Sequence, residues 1–296
     1  VYFICWLFSA CTGLLLLEVC LWMPKDANII SMTEKLLGPV GKFFAWILYL
    51  FLFYCLTVAY VTGGGNFVVS LFDGSISHTM GSILFTLIFG FIVYMGTKVV
   101  DRINFVLMIG LGISYLAFIF LSLDEVKFDL LKRSDWCSAA LALPVIFTSF
   151  SFQGTVPSLV TYLERNIKAI RFAIIGGTLL PLVTYVIWEF LILGIVPLEG
   201  EHGLLAAQAK EWTAIDPLKM LFSGSSIYTI GQFFGAFALT TSFLGVTLGL
   251  LDFLSDGLKV AKVGWKKVGL CAIIYIPPVI IASMNPMIFL TALGFA

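Results

Sequence analysis

The sequence predicts an all-α polytopic membrane protein, and two observations carry this prediction. Apolar residues make up 60% of the 296 residues, charged residues make up 11%, and the mean hydropathy is +1.05. Soluble domains are typically about half apolar and about a quarter charged. The second observation is a series of long charge-free stretches, such as 43–72, 103–123 and 220–251. Such stretches are long enough to cross a bilayer as helices, so a soluble or disordered chain is excluded.

Eight complete spans are predicted from these stretches, because each approaches or exceeds the length that a membrane helix needs. In chain order they are 1–22, 43–66, 79–97, 104–122, 138–162, 172–196, 228–252 and 268–284. A ninth span begins near Met287 and is incomplete at Ala296, and Val1 already lies inside an apolar run. We therefore expect truncation at both ends, with at least one further span before Val1.

Lys and Arg concentrate in alternate loops, and this asymmetry predicts the orientation. The loops after spans one, three, five and seven hold 12 of the 17 basic residues, and the other loops hold 5. Cytoplasmic loops carry the excess of basic residues, so the first set is predicted to be cytoplasmic. The 17 acidic residues balance the basic ones, so we expect no nucleic-acid partner.

The residues that usually carry catalysis or bind metals form no recognisable motif. None of the six cysteines forms a C-x-x-C pair, and both histidines, His78 and His202, fall in predicted outer loops. The chain has no phosphate-binding glycine loop, no nucleophile elbow and no H-E-x-x-H motif. We expect no cofactor, no metal site and no enzyme activity.

The span at 138–162 contains a polar interruption. Between its apolar halves lie hydroxyl, amide and glycine residues: Thr148, Ser149, Ser151, Gln153, Gly154 and Thr155. Pro157 follows, and proline costs a helix interior about 3 kcal/mol because it lacks an N–H and clashes with the preceding turn. We predict that the helix opens across 148–155, near the bilayer midplane. Such openings form transporter sites, although a proline kink repaired by hydroxyl groups explains the pattern equally well.

Two further spans contain polar residues near their centres. Thr240, Thr241 and Ser242 in span seven offer three adjacent hydroxyls for a cation, but hydroxyls that bond back to their own helix are the more frequent case. Thr57 and Tyr60 in span two are three residues apart and share one helix face. That face is a candidate substrate contact, with ordinary helix packing as the alternative.

Two acids lie within spans, and one polar segment is too hydrophilic to cross. Glu18 is about one turn from the cytoplasmic end of span one, where a structural role is favoured. Glu189 is deeper in span six and is a candidate for titration during transport, although a structural role is favoured there too. Segment 203–222 is predicted to form two short helices separated by Pro217, on the surface or as a cap over an outer vestibule.

Four motifs carry a resemblance to a known family: GLLLLEV at 13–19, LTVAYVTGGG at 56–65, FTSF to PSL at 147–159, and TSFLGV to DFL at 241–254. They resemble the bacterial tyrosine- and tryptophan-specific permeases of the aromatic and hydroxy amino acid permease family. That family is similar in fold to the LeuT-like transporters of the amino acid–polyamine–cation superfamily, which have two inverted repeats of five helices. The resemblance implies one transporter domain over 1–296 that lacks the first core helix. Residues 1–122 would be the rest of the first repeat, and 138–296 the second.

The resemblance also implies a function and a set of site residues. It implies a multi-pass inner-membrane transporter that imports tyrosine and/or tryptophan by ion symport, with alternating access around the broken helix. The substrate would contact 148–154, with Phe150 or Phe152 against its ring, and Thr57 and Tyr60 from span two. Proton coupling is expected because the family is regarded as proton-driven. A sodium-coupled transporter of the same fold is the alternative, because Thr241 and Ser242 occupy a region that contributes a sodium site in such relatives. A channel or a membrane scaffold is a more distant one.

Overall fold

A computed structural model describes residues 1–24, 27–72, 74–133, 136–209, 216–222, 226–285, 288, 291, 292 and 294. Every regular element among them is helical. The helices are α1 (Tyr2–Trp22), α2 (Ile29–Leu71), α3 (His78–Met95), α4 (Thr97–Ser122), α5 (Trp136–Leu141), α6 (Leu143–Ser149), α7 (Val156–Tyr162), α8 (Ile167–Ile195), α9 (Leu204–Ala209), α10 (Asp216–Leu221), α11 (Ser226–Leu258) and α12 (Gly264–Met284). Short 3-10 turns occur at Leu123–Glu125, Leu130–Lys132 and Gln153–Thr155.

Among the described residues, the eight predicted spans are confirmed as eight segments that are long and apolar enough to cross a membrane. Six of them are single helices, sometimes extended by a turn; α2 is kinked at Gly38, and Leu143–Tyr162 is interrupted. The predicted start of the ninth span, Met287, lies outside the described residues.

The second span begins earlier than the predicted range of 43–66. Helical turns start at Ile29, in a region whose charged residues Glu34 and Lys35 had indicated a loop. Gly38 interrupts the helix with a φ of +72° and a ψ of −170°, a conformation that glycine adopts without steric penalty. Pro39 then restarts the helix, since the first helical turn does not need its missing N–H.

The polar segment 203–222 contains two short helices, as predicted, but Pro217 does not separate them. Pro217 is instead the second residue of α10, a position where the absent N–H breaks no hydrogen bond. The next residue, Leu218, is fully buried and anchors this helix. Residues 210–215, between the two helices, lie outside the described residues.

The chain folds into two compact units that alternate along the sequence. The first unit comprises Val1–Phe51 and Arg133–Phe190, and the second comprises Leu52–Lys132 and Leu191–Ala296. Helices α2 and α8 each contribute residues to both units. This partition differs from the predicted repeats at 1–122 and 138–296, which stay a prediction.

In the first unit, α1 packs against α7, α8 and the start of α2. Their shared core consists of apolar side chains: Leu17, Cys20, Met23, Met32, Val156, Val160, Ile170 and Ile174. The end of α1 is held by Arg165, whose guanidinium group donates to the backbone oxygens of Cys20 and Met23. A cation at a helix C-terminus satisfies carbonyls that have no partner within the helix.

In the second unit, α3, α11 and α12 meet through aromatic rings. The Phe243 ring lies 5.1 Å from Phe85 and 5.9 Å from Tyr275, measured between centroids. Pro277 inside α12 leaves the backbone oxygen of Ile273 without its helical donor. The Tyr54 hydroxyl of α2 donates to that oxygen at 2.7 Å, so a side chain replaces the lost backbone hydrogen bond.

Candidate functional site

The interruption predicted at 148–155 is present in the structure. Helix α6 ends at Ser149, the backbone from Phe150 to Phe152 is not helical, and α7 begins at Val156 after one 3-10 turn. Pro157 is near the start of α7, where its ring blocks an incoming helix but permits a new one. The break therefore separates two short helices within one membrane span.

The last carbonyl groups of α6 find partners close by. The backbone oxygen of Phe147 accepts from the N–H of Phe150 at 3.1 Å, and that of Thr148 accepts from Ser151 at 3.0 Å. The Tyr185 hydroxyl of α8 donates to the backbone oxygen of Ser149 at 3.2 Å. No described residue donates a hydrogen bond to the backbone oxygens of Phe150 and Ser151. Both are acceptors without a described partner; Ser151 is an exposed residue, whereas Phe150 is almost completely buried.

Gln153 ties the break to α1. Its side-chain nitrogen Nε2 donates to the Thr12 hydroxyl at 3.0 Å, and its oxygen Oε1 accepts from the backbone N–H of Phe152 at 3.0 Å. The amide thus satisfies one backbone group that the break would otherwise leave unpaired. This geometry gives Gln153 a positioning role, and its predicted contact with a substrate stays a prediction.

Most predicted site hydroxyls in the break bond to their own backbone, and Ser151 differs. Thr148 donates to the backbone oxygen of Pro144 at 3.0 Å, and Ser149 donates to that of Val145 at 2.9 Å. Ser151 is exposed, and its hydroxyl makes no hydrogen bond with a described residue. Gly154 is also exposed, and a Cβ atom placed there would meet only a ring carbon of Tyr49, at 3.9 Å.

The two aromatic residues of the break pack inside the first unit. Phe150 is 3% exposed, and its ring lies 6.5 Å from Tyr2 and 5.4 Å from Tyr185. Phe152 packs against Gly13 of α1, where a Cβ atom would come within 2.4 Å of the ring. Both rings therefore have protein partners in this conformation, and their contact with a substrate ring stays a prediction.

The predicted site residues in the second unit are mostly engaged within their own helices. Thr57 is fully buried and donates to the backbone oxygen of Phe53 at 2.7 Å, whereas Tyr60 is half-buried.

In α11, Thr241 donates to the backbone oxygen of Ala238 at 3.0 Å, and Thr240 is 4% exposed. The hydroxyls of Thr240 and Ser242 make no hydrogen bond with a described residue.

The two acids within spans have different partners. Glu18 forms an ion pair with Arg171 at 3.0 Å, and both side chains are at least half exposed. Glu189 accepts a hydrogen bond from the Tyr2 hydroxyl at 2.8 Å and has no Lys or Arg partner within 4 Å among the described residues. Glu18 is thus paired with a cation, whereas no described residue supplies a cation for Glu189; the roles expected of the two acids stay predictions.

Sequence reasoning did not identify Thr12, Gly13, Tyr2 and Tyr185, which surround the break in the structure. Thr12 and Gly13 sit in an apolar helix in which small and hydroxyl residues are common at packing faces. The spacing of Tyr185 and Glu189, four residues apart in α8, was the available signal because it places both on one helix face.

Comparison with known proteins identifies the family. The model of the tryptophan/tyrosine permease family matches residues 1–296. The chain is 34% identical to tyrosine-specific transport system 1 of Haemophilus influenzae, over 98% of this chain and 74% of the relative. It is 29% identical to the tryptophan-specific transport protein of the same organism, over 98% and 73%. It is 27% identical to the low affinity tryptophan permease of Escherichia coli K12, over 99% and 74%. With a family match over its whole length and eight segments able to span a membrane, the chain belongs to the tryptophan/tyrosine permease family and is a multi-pass permease of the inner membrane, not an enzyme.

Proposed function

We propose that the chain is a secondary active transporter that imports an aromatic amino acid, tyrosine and/or tryptophan, by proton symport. The observation that carries this proposal is the non-helical backbone between α6 and α7, which is exposed at Ser151 and has two carbonyl oxygens that accept no hydrogen bond from described residues. Bare carbonyl groups at a broken membrane helix are suited to a cationic group such as an amino acid's ammonium. The family and the names of the relatives support the substrate class.

Direct contacts with the substrate are placed at the exposed part of the break. Ser151 supplies a hydroxyl group and a backbone oxygen, and Gly154 leaves room for close approach. Phe150, Phe152 and Gln153 hold this backbone in place, since their side chains already have partners in α1 and α8. A site on irregular backbone needs such support to keep its geometry.

Alternating access and the LeuT-like fold are parts of the same proposal. In it, the break is accessible first from one side of the membrane and then from the other. The support is that the interruption falls in the first helix of the predicted second repeat, where a discontinuous helix is expected in such folds.

Transport by the purified full-length protein in proteoliposomes tests the proposal. We expect saturable uptake of radiolabelled tyrosine or tryptophan that accumulates with an inward proton gradient and stops when an ionophore collapses it. Uptake that requires sodium and does not depend on the proton gradient would identify sodium as the coupling ion. Unsaturable flux would indicate a channel, and no uptake of either amino acid would contradict the transporter proposal itself.

Sodium coupling is retained as a second candidate because of two hydroxyls in α11. Thr240 and Ser242 make no hydrogen bond with a described residue, and Thr240 is almost completely buried. Hydroxyl oxygens that have no protein partner can serve as ligands for a cation such as sodium. Sodium-dependent uptake that Thr240→Val and Ser242→Ala abolish would favour this candidate.

A further inference from the structure

Glu189 is an acid in a membrane span for which the structure gives a tyrosine partner and no cation. Its carboxylate oxygen Oε1 accepts from the Tyr2 hydroxyl at 2.8 Å, and none of the ion pairs of the described residues includes it. Glu18, an acid in α1 of the same unit, differs because it is half exposed and forms an ion pair with Arg171. Ionisable residues inside membranes are costly to maintain, and those without a counter-ion mark ion or proton pathways.

Tyr2, the hydrogen-bond partner of Glu189, packs against a largely apolar cluster that contains a few hydroxyl and thiol groups. Cys5, Ile146, Phe150 and Leu182 form the buried core, and Tyr2 and Tyr185 pack against it. The titratable groups that face the Glu189–Tyr2 pair are Cys5 on α1 and Tyr185 on α8 itself. Helix α6, which contributes Ile146 to the cluster, carries no titratable side chain.

Aromatic contacts connect this acid to the helix break. The Tyr2 ring lies 5.9 Å from the Tyr185 ring, and Tyr185 stands one helical turn before Glu189 on the same face of α8. The Tyr185 hydroxyl in turn donates to the backbone oxygen of Ser149, the last residue of α6. A shift of the Tyr2 side chain therefore reaches the candidate substrate site through one intervening residue.

We propose that Glu189, with Tyr2 as its hydrogen-bond partner, binds the coupling proton, and that Tyr185 links this event to the broken helix. The proposal rests on the proposed proton symport and names the residue that would perform it. The ionised carboxylate needs the Tyr2 hydroxyl as a donor, and the protonated carboxyl does not. Uptake of one proton thus frees Tyr2 to move, and release of the proton restores the hydrogen bond. An uncompensated charge in a membrane span is expensive, so access of water to Glu189 determines when the proton leaves.

The experiment compares Glu189→Gln with Glu18→Gln in proteoliposomes. Glutamine keeps an oxygen that accepts from Tyr2 but cannot exchange a proton, and Glu18 is a matched acid with a cation partner. At a pH gradient of about one unit, one-to-one symport accumulates substrate about tenfold, since each tenfold ratio equals one pH unit in free energy. We expect Glu189→Gln to equilibrate substrate without accumulation while it still exchanges internal for external substrate, and Glu18→Gln to accumulate normally. Tyr2→Phe should change the pH profile of accumulation while exchange continues.

The possible outcomes separate this inference from the proposed function. If the unaltered protein does not use a proton gradient, both fail together. If it does, and Glu189→Gln accumulates substrate with the normal pH profile, only the assignment of Glu189 is overturned. If Glu189→Gln loses both exchange and accumulation, Glu189 contributes to folding or to substrate binding. This result also overturns the inference. Substrate exchange thus reports on folding in the same preparation.

Discussion

Ser151 is the residue of the break whose hydroxyl is exposed and free of hydrogen bonds with described residues, so it carries the sharpest test of the substrate site. We expect Ser151→Leu to weaken the apparent affinity for the aromatic substrate about tenfold, because one hydrogen bond is lost and bulk is added. Competition of unlabelled tyrosine and tryptophan against labelled substrate measures this affinity. Ser158→Leu is the control, because Ser158 is exposed on α7 beyond the break. Equal affinities of both variants and the unaltered protein would contradict the placement.

The position of the polar residues in the break was predictable from the sequence, but the hydrogen-bond partner of each side chain was not. Ser, Thr, Gln and Gly in an apolar span indicate an interruption whatever their side chains contact. The structure distinguishes Thr148 and Ser149, which bond to their own helix, from Ser151, which does not. Local geometry determines whether a hydroxyl group bonds to the backbone or is left for a ligand, and the spacing of residues in the sequence does not specify that geometry.

At the scale of the elements, α12 contains a proline whose lost hydrogen bond is replaced from another helix. The Tyr54 hydroxyl bonds to the backbone oxygen of Ile273, four residues before Pro277. Tyr54→Phe should lower the free energy of unfolding by about 0.5–1.5 kcal/mol, because it removes this hydrogen bond. Pro277→Ala restores a backbone donor to the same oxygen, so Tyr54→Phe should cost much less in that background. Thermal unfolding of the unaltered protein, the two single variants and the double variant in detergent measures the coupling, and additive effects would contradict this account.

Two helix boundaries were not predicted correctly from the sequence. Charge-free length identified the eight spans, because length and hydropathy are the properties that a bilayer requires. It could not identify the helical turns at Ile29–Leu37, since these contain charged residues and do not need to cross. Pro217 is predicted to separate two helices, but proline is also common in the first turn of a helix, where it occurs here.

At the scale of the whole molecule, the distribution of basic residues predicts the orientation in the membrane. Twelve of the 17 Lys and Arg residues lie in alternate loops, which are predicted to be cytoplasmic. A cysteine at Ala261 should then react with a membrane-impermeant maleimide only after permeabilisation, whereas a cysteine at Glu201 should react in intact cells. Both positions are exposed in the structure, so accessibility to the reagent does not limit the comparison. The reverse pattern would invert the topology.

The close contact between α1 and the break has a consequence for how sequences in this family can diverge. A side chain at position 13 would overlap the ring of Phe152, so the two positions share one volume. A relative with a larger residue at the position of Gly13 should carry a smaller one at the position of Phe152, and correlated change at this pair should be visible in a family alignment. Variation at one position without the other would imply that α1 and the broken helix pack differently in that branch.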